Sequence, residues 1–158
     1  MFKFACCPRL TWRTFTAVIA IIDVFMFTAV LVVGGIQPGT EFLSPKFSTL
    51  ATFGNKDPCL MRYSYQIWRF VTPIFLHANF LHIFFNLVST LILGSMMEAM
   101  VGTKKTIMIY FAAGIGGNAF SVLLTDAPAV GASTAITGLL GAYVAYILVN
   151  WKAMDYPG

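Results

Sequence analysis

Four apolar stretches, each close to the length that crosses a bilayer, decide what this chain can fold into. They run at about 15–36, 75–97, 106–124 and 133–149. A spanning helix needs about 20 mostly apolar residues. Charged residues are only 10% of the chain and hydrophobic residues 58%, where a soluble domain carries about 25% charged. Such a chain needs lipid around it. The expected fold is all-α, a polytopic membrane helix bundle in one domain. The net charge of +4 suits anionic lipid at a cytoplasmic face better than nucleic acid, because the few cations sit between apolar spans.

The first stretch follows Lys3, Arg9 and Arg13, with Trp12 as an interface anchor. A signal peptide also starts with basic residues, but its apolar region is about 7–15 residues. This stretch is longer and reads as a retained spanning helix. Asp23 inside it is costly in lipid and must face other helices or the interface. Residues 1–14 form a cytoplasmic N-terminus on this reading. Cys6 and Cys7 are adjacent and juxtamembrane, which fits either S-palmitoylation or reduced thiols. Cys59, the third cysteine, lies apart in a loop, so no disulfide framework is implied.

Between the first two stretches, at about 37–74, Pro, Gly and charged residues break the pattern. This loop is long for a connector. Phe42, Phe47, Phe53, Tyr63, Tyr65, Trp68 and Phe70 argue against disorder and favour the membrane interface. With the N-terminus cytoplasmic, Lys3, Arg9, Arg13, Lys104, Lys105 and Lys152 share the inner side. The second and fourth stretches then both begin at the outer side, which puts His77, His82, Asn86 and Ser133 in one leaflet.

His82 and Asn86 are four apart and share a helix face, about 6 Å along the axis. Polar groups in a span face the bundle or a cavity, and His77 can simply mark the interface. Ser133 follows Gly131-Ala132. A membrane serine commonly bonds the carbonyl four residues back or another helix. To act as a nucleophile it needs a base and a preorganised oxyanion site. His82, Asn86 and the Ser133 backbone N–H supply donors if the second and fourth helices meet. Small-residue stripes favour close packing: Thr134, Gly138, Gly141 and Ala145 on the fourth helix, Gly114, Gly117 and Ser121 on the third. Arg69, beside Trp68, can bond loop carbonyls or lipid phosphates. Glu98 sits near Lys104 and Lys105 and reads as a fold-shaping residue. No Cys/His spacing suits a metal, and no glycine-rich loop precedes a Lys-Ser/Thr pair, so no cofactor is expected.

In order, these residues resemble the rhomboid family of intramembrane serine proteases, of the eukaryotic secretase type. Trp68-Arg69 matches the family's first-loop pair, and His77-x4-His82-x3-Asn86 its second-helix motif. Glu98 matches the acidic residue at that helix's end. Gly131-Ala132-Ser133 with Gly138 and Gly141 matches the catalytic-serine helix, followed by Asn150-Trp151. The resemblance covers roughly 65–151 and extends loosely over the first helix.

It implies a six-helix core, of which residues 15–151 would be a partial domain with four helices. Residues 152–158 would be a shortened cytoplasmic tail. It also implies Ser133 as nucleophile, His82 and Asn86 in the oxyanion hole, and single-pass transmembrane proteins as substrates. Two departures stand out. Thr134 follows the serine where glycine is frequent, and its branched side chain can crowd the oxyanion hole. The family's general-base histidine, on its sixth helix, has no counterpart after Ser133. The expectation is an intramembrane serine endopeptidase that is inactive as this chain alone. The alternative is a rhomboid pseudoprotease that binds or routes membrane proteins without cleaving them. A transporter would place ionisable residues along a mid-membrane pathway, whereas here the polar groups cluster at the outer ends.

Overall fold

The structure, a computed structural model, describes residues 14–154. Cys6, Cys7 and the basic N-terminal flank lie outside the described residues. Four helices are long and apolar enough to cross a membrane: Phe15–Gly34, Phe80–Val101, Thr103–Leu124 and Ser133–Trp151, the last continuing to Met154. They are called here the first to fourth spans. Their shared core joins Ile19, Met97, Tyr110, Ala135 and Leu139 with Ile74 of the long loop.

The second span starts at Phe80, later than the apolar pattern suggests. Thr72–Phe75 is a 3-10 turn containing Pro73. Asn79 then caps the helix by accepting the His82 N–H at 2.7 Å, and a cap of this kind marks a helix start. His77 therefore precedes the span. The span also runs past Met97 to Val101, where Gly102 (φ 86°) ends it. The third span begins at once, so Lys104 and Lys105 lie in its first turn rather than between helices.

Within the second span, Thr90–Gly94 forms a π-helical turn. It packs on the first span so closely that a Cβ at Gly94 would come 2.8 Å from Thr16 Oγ1. The third and fourth spans are tighter still. A Cβ at Gly138 would lie 2.0 Å from that of Ala113, and one at Gly117 would lie 2.8 Å from Thr134 Cγ2. Small residues thus let these backbones meet. Gly141 does not share in this, since its position has nothing within 4 Å among the described residues. Ser121 leaves the stripe too and turns to the long loop.

That loop is ordered. It holds the short helices Phe47–Phe53 and Pro58–Tyr63, then 3-10 turns at Ile67–Phe70 and Thr72–Phe75. Asp57 caps the second helix by accepting the Leu60 N–H at 3.1 Å, with Pro58 at the first helical position. Phe42, Phe47, Tyr63, Tyr65 and Trp68 are exposed, as suits an interfacial loop. Arg69 is buried and binds protein rather than lipid. It donates to the carbonyls of Asn55 (2.8 Å) and Ala51 (3.0 Å) and to the side chains of Asn55 (3.0 Å) and Gln66 (2.6 Å).

Glu98 turns to the first span, not to Lys104 and Lys105. Its carboxylate accepts from the N–H groups of Phe15 (3.1 Å) and Thr16 (2.8 Å), and from the hydroxyls of Thr16 (2.5 Å) and Thr103 (2.9 Å). The first N–H groups of a helix lack intrahelical partners, and an anion there is favoured. Asp23 faces other helices and is fully buried, with neither oxygen bonded among the described residues.

Candidate active site

The site forms where the second and fourth spans begin. Two turns of chain, not the helices themselves, bring its parts together. Gly131 takes φ 127°, a conformation open mainly to glycine. It is pinned by its own N–H to the Pro73 carbonyl at 2.8 Å. A Cβ here would lie 2.7 Å from His82 Nε2 and 3.7 Å from Ser133 Oγ. The imidazole and the hydroxyl thus flank one point that only a glycine leaves empty. Ser133 is exposed, begins the fourth span, and its hydroxyl makes no hydrogen bond among the described residues.

His82 is oriented by its other nitrogen. Nδ1 accepts the Ala78 N–H at 3.3 Å. In the neutral ring the hydrogen then sits on Nε2, the nitrogen that lies beside the Gly131 position. His82 is therefore set up to donate at this point, not to take a proton. The first-turn N–H groups of the fourth span add donors and a positive dipole end.

Asn86 is buried one turn further along. Its amide nitrogen donates to the His82 carbonyl at 2.9 Å, and no bond joins it to Ser133. His77 is sealed behind His82, edge to face with ring centroids 5.3 Å apart. Neither of its ring nitrogens has a hydrogen-bond partner of good geometry. Burial pushes its pKa down to about 3, and the neighbouring His82 adds to that against a smaller opposing pull from the Phe75 carbonyl. It stays neutral at pH 7 and is too weak a base to activate a hydroxyl. Thr134 points away, its methyl against Gly117, so it does not crowd the His82 side.

Trp68, Arg69 and Glu98 lie outside this contact. Arg69 and Glu98 hold the loop and the first span as described above. Asn118 of the third span, buried, donates to the Phe70 carbonyl at 2.9 Å and so ties the loop to the bundle.

The Rhomboid domain model matches residues 64–158. This chain belongs to the rhomboid family. It is 34% identical over 151 residues to Rhomboid-like protease 2 of Toxoplasma gondii, covering 94% of this chain and 52% of that protein. It is 35% identical over 139 residues to Rhomboid protease GluP of Bacillus subtilis, covering 88% of this chain and 26% of that one. Inactive RHOMBOID-like protein 8 of Arabidopsis thaliana is also similar, 34% over 111 residues, covering 70% of this chain and 32% of that protein. The chain spans about half the length of two Toxoplasma gondii relatives and a smaller share of a third. Family and spans together make it an integral, multi-pass membrane protein.

The sequence pattern named Ser133, His82 and Gly131, and the structure brings these three together. One contributor escaped it. Asn79, whose cap starts the second span, carried a visible signal: an Asn just before the apolar residues Phe80-Leu81.

Proposed function

We propose that this chain carries the nucleophile and oxyanion site of an intramembrane serine endopeptidase that cleaves transmembrane proteins. Ser133 Oγ attacks a peptide carbonyl. The oxygen that becomes negative is held by His82 Nε2–H and the backbone N–H of Ser133, with Asn86 fixing the His82 carbonyl behind them. Both histidines are committed elsewhere, so the proton goes to a base other than His77 or His82. On this reading the N-terminus is cytoplasmic and the site opens in the outer leaflet. The observation that carries the proposal is the shared point at Gly131, flanked by His82 Nε2 and Ser133 Oγ.

The test is a fluorophosphonate probe applied to the full-length protein in its own membrane. Wild type should label at Ser133. Ser133→Ala should not label, and His82→Ala should label slower by roughly 10²–10³. An unlabelled, folded wild type favours a second reading, a rhomboid pseudoprotease that binds membrane proteins without cutting them. That reading draws support from the two histidines, neither of which is placed to act as a base, and from a similar protein that is named inactive.

A further inference from the structure

Lys56 is the most deeply buried cation of the described residues, 1% exposed. Its ammonium donates to one hydroxyl, Ser121 Oγ, at 2.6 Å. Burial lowers its pKa, so keeping this charge inside is costly. A methionine of similar length would fill the space without that cost. The ammonium therefore calls for a reason other than packing.

The backbone around it suggests one. Lys56 and Ala129 form an isolated antiparallel bridge: Lys56 N–H donates to Ala129 O at 2.9 Å, and Ala129 N–H to Lys56 O at 3.1 Å. Ala129 lies just before Gly131, which is itself held by Pro73. Both restraints on the segment leading into Ser133 thus come from the long loop. The Lys56 side chain adds a third point by fastening that loop to the end of the third span. Nearby, Arg62 reaches Asp126 and the Val122 carbonyl, but this tie is on the rim and partly exposed. An exposed ion pair contributes little.

We propose that Lys56 is a positioning residue of the site: its ammonium on Ser121 and its backbone on Ala129 set the segment that holds Gly131 and Ser133 against His82. The ammonium faces Ser121, so it acts through this segment and not on the reacting atoms. The proposal rests on the protease reading for its kinetic consequence, but its structural part can be tested apart from that.

The experiment uses the full-length protein with Lys56→Met, Ser121→Ala and the double variant. The Lys56 backbone bonds survive all three, so only the side-chain tether is lost. Two quantities are read on folded material: the rate of fluorophosphonate labelling at Ser133, and hydrogen exchange of the peptide spanning 125–133. Each single variant should slow labelling by roughly tenfold to a hundredfold, as small misplacements at a site do. Each should speed exchange at Ala129 and Gly131. The double variant should add nothing further, because both changes break one contact. Unchanged exchange overturns the proposal, whatever the labelling shows. Faster exchange with an unchanged labelling rate per folded molecule also overturns it, leaving Lys56 a purely structural tie. If wild type itself never labels, the protease reading fails and exchange alone decides on Lys56.

Discussion

The end of this bundle that carries the 37–74 loop and its middle differ in how they treat buried polar groups. At the loop end Arg69, Lys56 and Asn118 are all buried and all bonded, with the His77 ring the exception. In the middle Asp23, Thr90 and Tyr110 are equally buried, and their side-chain oxygens find no partner among the described residues. The difference lies in the backbone. The loop presents carbonyls outside the four spans, and these accept from Arg69 and Asn118. In mid-span the helix uses most of its carbonyls itself. A polar side chain there is left with the carbonyl four residues back, other side chains or water. The opposite end resembles the loop end, since Glu98 meets N–H groups that the first span leaves unused.

The sharpest test of this contrast is Arg69→Ala. It strips a donor from the carbonyls of Asn55 and Ala51, the latter keeping the Gly54 N–H, and from the side chains of Asn55 and Gln66, and should cost roughly 3–5 kcal/mol. Unfolding in detergent measures it. A loss under about 1 kcal/mol would mean that water replaces the guanidinium and the loop end is not sealed.

Acid should come next. Unfolded, His77 takes up a proton near 6.5; folded, not until about 3. Between these values the unfolded chain holds the extra proton. Stability is thus fully present above about pH 6.5 and falls as pH drops, by at most about 1.4 kcal/mol per pH unit. His77→Gln should flatten this slope. Parallel acid profiles for the variant and wild type would assign the slope to other groups.

Glu98→Gln is expected to be milder. The amide would turn an N–H group toward donors of the first span, at a cost of about 1–2 kcal/mol. Its signature is local: amide exchange should rise in the first turn after Phe15. If it rises evenly over all four spans, Glu98 supports the whole bundle and not one helix end.

The smallest effect belongs to Asp23→Asn. With no partner to lose, stability should hold or improve by about 1 kcal/mol. A loss as large as that for Arg69→Ala would show that Asp23 binds something in the bundle's middle, and the contrast between regions would collapse.

Most of the architecture was legible because lipid imposes a simple rule: a long apolar run must be a helix. The first and fourth spans lie close to their apolar limits. The second does not, because apolar character continues through Ile74, Phe75 and Leu76 while the helix waits for its Asn79 cap. The site was legible in part. Ser133, Gly131 and His82 stand out by type and order, but which His82 nitrogen carries the hydrogen depends on the Ala78 N–H. Gly141 looked like packing and meets open space. Glu98 read as a fold-shaping residue, but its partner was not legible: it caps a helix 82 residues earlier in the chain.

The sequence by itself determined the class of fold, the number of spans and the chemistry available at their ends, because hydrophobic length and residue type are local properties. Only the tertiary structure decided which groups meet. The bond from Lys56 to Ser121 crosses 65 residues and that from Asn118 to Phe70 crosses 48. Such pairings depend on how the loop packs on the third span, and no local pattern encodes that. The same packing decides whether Gly131 leaves room for a histidine beside a serine.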